Sequence, residues 1–577
     1  MTRLIKILSL GLVLLLGAGL AFAGDDNGLT EKYTLWIGGH YTDFNDYAKK
    51  AGEYNLGNDE FLPEFKLNYF SRSDRGIFRL DGHYYDDKNI NAEIRTTISD
   101  VFKGKFMYRS LIKQASQNLL TEIEAREYFE STGVAGGKML THEILDPGAD
   151  YNTHRQEILG EVSLLLSRKN NVRMIAAHRT ILTTGSEQKI SSNHCFSCHL
   201  TSQTAEVDKR KHQFEAGVDA ETGKFDIGYR FGYRYFETEA TDASTYYDPA
   251  KHPLSGGAAA EFSSRVIYHD STMAFSTYPT TEKTSHKVRV KGDVGKGRFS
   301  GAAGYSRAEN KNTSLTTDAW SGSLNYTVPL NPKTRLVAKF AATSLSADDP
   351  FIDLPTWRDG ATDGNEYNFD YTRYSALDRR TGKLTAELIT RLNKKMTLSV
   401  LAGYDRVERY DYPLPDDGTE TSKLIGQAKL RIRKGLKYSS TVKYRFESIS
   451  DPYVSARGMF EESGHDVLTP LVPTSTWIFY FQREDLRYQD ITTQPTQVHQ
   501  FEWRSNYRPN NKVVVNLGVK GKYDKNGDLD SLDVEHFSLA PNLNFNLIPD
   551  QRWALTAGYA YNYDKSRLPV TVALFDG

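Results

Sequence analysis

Cysteine is almost absent from this 577-residue chain: Cys195 and Cys198 are the only two, too few to build a disulfide scaffold. Charge of one sign is absent too. With 72 basic and 73 acidic residues the net charge is −1, so no field draws the chain toward nucleic acid or anionic lipid. Beyond the first 23 residues no window resembles a transmembrane helix, and the mean hydropathy is −0.55, which excludes a helical membrane protein. Spacing alone brings out no Ser-His-Asp set, no carboxylate pair and no phosphate loop, so the chain is not read as an enzyme.

The one apolar run stands at the start. In M-T-R-L-I-K-I-L-S-L-G-L-V-L-L-L-G-A-G-L-A-F-A, Arg3 and Lys6 precede an apolar stretch that closes on Ala21-Phe22-Ala23. That is the pattern of a secretory signal, with cleavage expected after Ala23. The run is short for a membrane span and ends abruptly at Gly24-Asp25-Asp26. Residues 24–577 are therefore the expected mature chain.

What the chain has in plenty is aromatics, 12% of residues with 35 tyrosines, spread along its length in alternation with polar residues. From Lys224 to Phe236 the odd positions Phe225, Ile227, Tyr229, Phe231, Tyr233 and Tyr235 are apolar or aromatic. The even positions Asp226, Gly228, Arg230, Gly232 and Arg234 are charged or small. A period of two means a strand with one apolar and one polar side. The pattern returns at Met396–Tyr404, Leu436–Phe446, Val513–Val519 and Trp553–Tyr563.

A secreted β-sandwich also alternates. Here the strands are long, about ten residues or more, as a tilted strand crossing a bilayer must be. Short turns at 168–171, 294–297, 331–333, 393–395, 433–435, 509–511 and 548–550 alternate with long Asp-, Thr- and Pro-rich connections such as 347–380 and 449–493. Short turns on one side and long loops on the other are the habit of outer-membrane barrels. The expected fold is all-β: a large transmembrane antiparallel β-barrel of about 20 or more strands, with long loops, in the outer membrane of a Gram-negative bacterium. Residues 111–130 break the alternation and predict one short amphipathic helix, able to line the lumen or cap a mouth. The last clear strand, 551–563, is followed by a stretch containing Pro569 that does not read as a closing strand, so a seam or a gap is expected between the first and last strands.

Both cysteines fall in N-H-C-F-S-C-H-L, Asn193 to Leu200, within a loop expected at 185–207. In C-x-x-C-H two thiols add to the vinyl groups of a haem and the adjoining histidine ligates its iron, so Cys195 and Cys198 are the expected attachment points of one haem c and His199 its proximal ligand. A disulfide or a thiol switch remains open, and a zinc site would need two further ligands, for which no second paired cluster exists. The sixth iron position would fall to another histidine, with His194, His212 and His178 the candidates near in sequence. Since the turns at 168–171 and 220–223 are short, the motif belongs on the long-loop side, the outer mouth. One haem is much smaller than a bilayer core of roughly 30 Å and cannot alone take an electron across.

The signal peptide, the Tyr-rich alternating strands and a redox cysteine motif ahead of an H-x-x-x-A-G strand start at His212–Gly217 together resemble the MtrB/PioB-type barrels, outer-membrane porin partners of multihaem cytochromes. That resemblance implies a sheath that encloses a periplasmic multihaem c-type cytochrome and lets it meet an extracellular one, so that electrons cross the outer membrane while the barrel itself makes and breaks no bonds. Outer-membrane lipid is the other expected contact, and nucleic acid is not a partner. The alternative is a general or substrate-specific diffusion porin with a structural or redox C-x-x-C.

Overall fold

A strand satisfies its N–H and C=O groups only through neighbouring strands, so a chain of alternating segments must build outward hairpin by hairpin. The computed structural model describes residues 30–43, 52–54, 60–120, 141–192, 199–247, 271–352, 357–358, 366–367, 371–373, 377–410, 420–452, 460–462, 494–527, 534–550 and 552–567. Among them every regular element is a strand, 30 in all, and there is no helix. Of these strands 23 belong to one sheet, in line with the count expected from the sequence. The chain divides into two units: residues 1–288 with 306–316 and 354–368, and residues 289–305 with 317–353 and 369–577.

In the first unit the strands are β1 (Thr30–Thr42), β2 (Glu60–Ser73), β3 (Gly76–Asp86), β4 (Asn89–Ile98), β5 (Phe102–Ala115), β6 (Thr141–Ile144), β7 (Tyr151–Ser167), β8 (Val172–Ser192), β9 (His199–Thr222) and β10 (Phe225–Thr238). With β6 set aside, each pairs antiparallel with the next. β6 instead lies parallel to the start of β9, Thr141 beside His199 and Ile144 beside Ser202. β9 and β10 meet in a two-residue turn where Gly223 has φ +61°, a conformation glycine adopts without steric cost.

The second unit is a meander of Thr316–Asn331, Thr334–Ala347, Arg379–Arg391, Met396–Arg409, Glu420–Lys434, Tyr438–Ser450, Gln497–Tyr507, Val513–Asn526 and Val534–Asp550, each antiparallel to the one before. Its short turns fall at or beside the expected positions. The last expected strand is two, Trp553–Ala560 and Tyr563–Arg567, both paired with Val534–Asp550 and separated at Tyr561-Asn562. Residues 568–577, on which the expectation of an open seam rested, lie outside the described residues.

The two faces of the second unit are sorted by chemistry. Leu324, Phe340, Leu384, Tyr404 and Leu424 stand directly opposite one another across five strands, and each is between 41% and 61% exposed. Four residues along, Leu388, Val400, Tyr444 and Phe501 form a second exposed row with Ala428 between them. One residue over, on the other face, Lys383 pairs with Asp405 at 3.5 Å, and Glu447 holds Lys423 at 3.3 Å and Arg445 at 2.6 Å. Failing to bury one such apolar side chain forfeits about 1.5–3 kcal/mol in water. Row upon row of them suits a sheet whose apolar face meets lipid.

Three expectations are corrected. Leu111–Ala115 do not open a helix but finish β5, paired from Leu111 with Arg155 to Ala115 with Tyr151; the ladder to β7 supplies the backbone bonds that a helix would have made internally, and Ile112 is buried. Residues 116–120 are irregular, and 121–130 lie outside the described residues. The loop expected at 185–207 is mostly strand, since β8 runs to Ser192 and β9 begins at His199, in register throughout from Gly185 with Val207 to Ser192 with Leu200. Its polar sequence has little apolar periodicity, and partners from elsewhere in the chain hold it extended. His212–Gly217 is likewise the middle of β9 and not the start of a strand.

Candidate functional site

β8 and β9, of 21 and 24 residues, are about twice the length a tilted strand needs to cross a bilayer. Their excess projects away from the short turns at 168–171 and 223–224 as a stalk, residues 186–192 and 199–207. Gly185 marks the junction: its φ is +138°, and a Cβ there would lie 2.0 Å from the Asn152 carbonyl oxygen, so only glycine fits. The connection at the head of the stalk, 193–198, contains Cys195 and Cys198, which lie outside the described residues together with His194. The backbone of His199 is the first residue of β9, beside Thr141.

Several side chains of the stalk and of its supporting segments are buried. Leu120, Tyr151, Ala205 and Val207 are buried, as are Ser191, Thr201 and Ser202. Gln188 Nε2 donates to the Asn118 carbonyl at 2.9 Å and to Ser202 Oγ at 2.5 Å, while the Asn118 amide donates to Gln188 Oε1 at 2.7 Å. Gln117 Nε2 donates to the Asp146 carbonyl at 2.8 Å, and both the amide and the hydroxyl of Thr204 donate to Asp146 Oδ2. The Leu145 amide donates to the Ser202 carbonyl at 2.9 Å, continuing the parallel ladder. These hydrogen bonds satisfy most of the polar groups removed from water, although Thr201 Oγ1 and Asp146 Oδ1 are buried without a partner, and they fix the hairpin's direction.

The opposite flank of the stalk is charged. Tyr278 donates its hydroxyl proton to Glu187 Oε1 at 3.0 Å and receives Lys189 Nζ at 3.0 Å, while Lys209 Nζ sits 3.8 Å from the Tyr278 ring centre. Burial alone would raise the Glu187 carboxyl, but hydrogen bonds from Lys189 and Tyr278 and the charges of Lys209 and Lys189 hold it below the ordinary carboxylate range.

Of the candidate sixth ligands, His178 and His212 are not brought to the motif. They stand together in mid-strand, ring centres 5.9 Å apart, each hydrogen-bonded with Thr180 Oγ1 at 3.3 Å and 3.1 Å, with Phe214 stacked 4.2 Å from His178. His212 is 13 residues from His199 along one strand, roughly 40 Å at about 3.3 Å per residue. No iron bound by His199 reaches it, and sequence proximity misled here because β8 and β9 are extended. Among the described residues, the parallel ladder sets the backbone of His142 opposite Leu200. His142 is remote in sequence, so only the pairing of β6 reveals it. The donor set Cys195, Cys198 and His199 fits covalent haem in its chemistry, two thiols and an adjoining imidazole at the head of a braced hairpin. Among the described residues no group of three or more His, Cys, Asp or Glu side chains is arranged to hold a metal ion.

No protein-family model matches the chain, and no curated protein matches it. Among solved structures, the FrpB iron transporter from Neisseria meningitidis (F3-3 variant) is similar at TM-score 0.44 and 9% identity, over 96% of this chain and 80% of that one. The copper transporter OprC is similar at TM-score 0.44 and 10% identity, over 93% and 74%. The alcaligin outer-membrane receptor FauA from Bordetella pertussis is similar at TM-score 0.39 and 7% identity, over 93% and 76%. At these scores the functional reading rests on the chain's own geometry.

Proposed function

We propose that this chain is an outer-membrane β-barrel of a Gram-negative bacterium that serves as the sheath of a porin-cytochrome electron conduit. The observation that supports the membrane part is the sorted sheet, with apolar rows exposed on one face and ion pairs on the other. Closing such a sheet leaves no unpaired backbone in lipid and gives a polar interior. That interior houses a periplasmic multihaem c-type cytochrome, which meets an extracellular multihaem cytochrome at the outer mouth. Cys195, Cys198 and His199 hold one haem c at the head of the stalk on that mouth, where it supplies a one-electron redox group in line with the enclosed partner. The chain's own residues position and insulate; they perform no bond-making reaction.

The test is purification of the chain from its native outer membrane, followed by a haem-stained gel and identification of bound cytochromes. The expected result is a haem-positive band at the mass of this chain and at least one multihaem cytochrome in stoichiometric amount. A colourless barrel that purifies alone and conducts ions in a planar bilayer would contradict the conduit and favour a diffusion porin.

A further inference from the structure

The polar faces of both units mostly match a cation with a carboxylate, as in Arg79 with Asp81, Arg95 and Lys105 with Glu93, Lys383 with Asp405, and Lys522 with Asp524. One place in the first unit departs from this. On the polar side of β9 and β10, Lys211 lies opposite Phe236 and Arg234 opposite Gln213, so the two cations are diagonal neighbours on one face. On the far side of β10 comes the strand Thr281–Val294, whose Ser285 hydroxyl reaches the Gly232 carbonyl at 3.5 Å, which sets Lys283 beside Arg234. Lys211 feels the charges of Arg234, Arg179 and Arg155, and Lys283 those of Arg234 and Lys287. Two acids border these cations: Glu157, whose two oxygens are already taken by Arg155 at 2.9 Å and Arg179 at 2.7 Å, and Glu215, the other diagonal neighbour of Arg234, which pairs with Arg230 at 3.5 Å. Arg234 Nε is buried with no hydrogen-bond partner. Among the described residues Lys211, Arg234 and Lys283 form no ion pair.

Like charges side by side on adjacent strands destabilise a sheet, and a buried guanidinium N–H without an acceptor adds a desolvation cost. Three neighbouring cations that leave such a donor unused are the complement of an oxyanion, because guanidinium and ammonium groups bind carboxylate and phosphate oxygens through short charge-assisted bonds. We propose that Lys211, Arg234 and Lys283 form an oxyanion site on the polar face, a few residues below the Gly185 junction from which the stalk rises. The proposal rests on reading that face as the interior of the sheath. The oxyanion is either a carboxylate of the enclosed partner, such as a haem propionate or an acidic side chain, or a free phosphate-like ion.

The probe is inorganic phosphate, titrated calorimetrically into the full mature chain purified alone in detergent at low salt. Saturable binding is expected, weakened about tenfold or more by Arg234→Gln and several-fold by Lys211→Gln or Lys283→Gln. Lys383→Gln in the other unit should leave it unchanged, and retention of the heat-modifiable gel shift shows that each variant is folded. Repeating the titration on the native complex separates the sources: blocked binding assigns the site to the partner's carboxylates, and retained binding assigns it to a free anion. Absence of saturable binding, or binding indifferent to Arg234→Gln, overturns the proposal. Since the measurement on the isolated chain needs no cytochrome, its failure is distinct from failure of the conduit reading.

Discussion

Two regions of one pair of strands obey opposite rules. Below Gly185, β8 and β9 expose Met174, Phe214 and Val218 on one face and turn Arg179 to Glu157 on the other. Above it the same strands bury Ala205 and Val207 on one face and, on the other, hydrogen-bond Ser202 to Gln188 and Thr204 to Asp146, as a water-soluble domain does. Apolar out and polar in suits lipid; apolar in and polar out suits water. On the proposed reading, the change of rule within a continuous ladder marks where the bilayer stops and makes the stalk an aqueous mount for the cysteine motif.

The largest effect expected concerns the stalk's head. Replacing Cys195 and Cys198 by Ala should abolish covalent haem on this polypeptide while leaving the barrel inserted and heat-modifiable, because neither residue belongs to an alternating segment of the sequence. Intact mass before and after substitution checks it; a wild-type mass equal to the bare processed chain would leave a disulfide or thiol switch as the reading of the pair.

On the membrane side, Leu424→Arg should cost about 2–4 kcal/mol in lipid, the penalty for a cation on the lipid face near the midplane. Reversible unfolding from vesicles measures it, and a near-neutral result would mean that the exposed rows face water. On the aqueous side, Val207→Ala should cost about 1–2 kcal/mol, less than a larger core truncation, and the loss should be confined to the stalk. Faster proteolysis within 186–207 with unchanged resistance of the sheet is the expected pattern, whereas global destabilisation would make stalk and sheet one cooperative unit.

How far these regions were legible in the sequence differs for the same reason that they differ in structure. Lipid-facing strands leave a two-residue period, so Phe225–Tyr235 and Met396–Tyr404 announced themselves, as did the turn at 294–297, where Gly295 has φ +61°. The stalk is held by Gln188, Asn118, Asp146 and Thr204, contacts between segments far apart in the chain, and no local period encodes them. That is why residues 185–207 read as a loop and 111–115 as the start of a helix. C-x-x-C-H is local and was visible at once, whereas His142 beside Leu200, and Lys211 beside Arg234 and Lys283, depend on register between strands.

The smallest effect is a pH dependence of the stalk. Because the Glu187 carboxyl is held below its ordinary value of 4.5, its contribution is fully present above that pH and is lost as pH falls through the lower folded value. Hydrogen exchange of the 186–192 segment should therefore quicken below about pH 4.5. In Glu187→Gln that step should be missing, and an identical profile in the variant would remove Glu187 from the stalk's support.

The most direct test of the two-solvent account places one spin label in each region of a chain carrying Cys195→Ala and Cys198→Ala. Leu424→Cys labels the exposed apolar row and Ser186→Cys labels the stalk just above Gly185, both in lipid vesicles. Leu424 should collide with dissolved oxygen and be shielded from a water-soluble nickel chelate, and Ser186 should show the reverse. A label at Leu424 that the chelate reaches as freely as one at Ser186 would contradict the account.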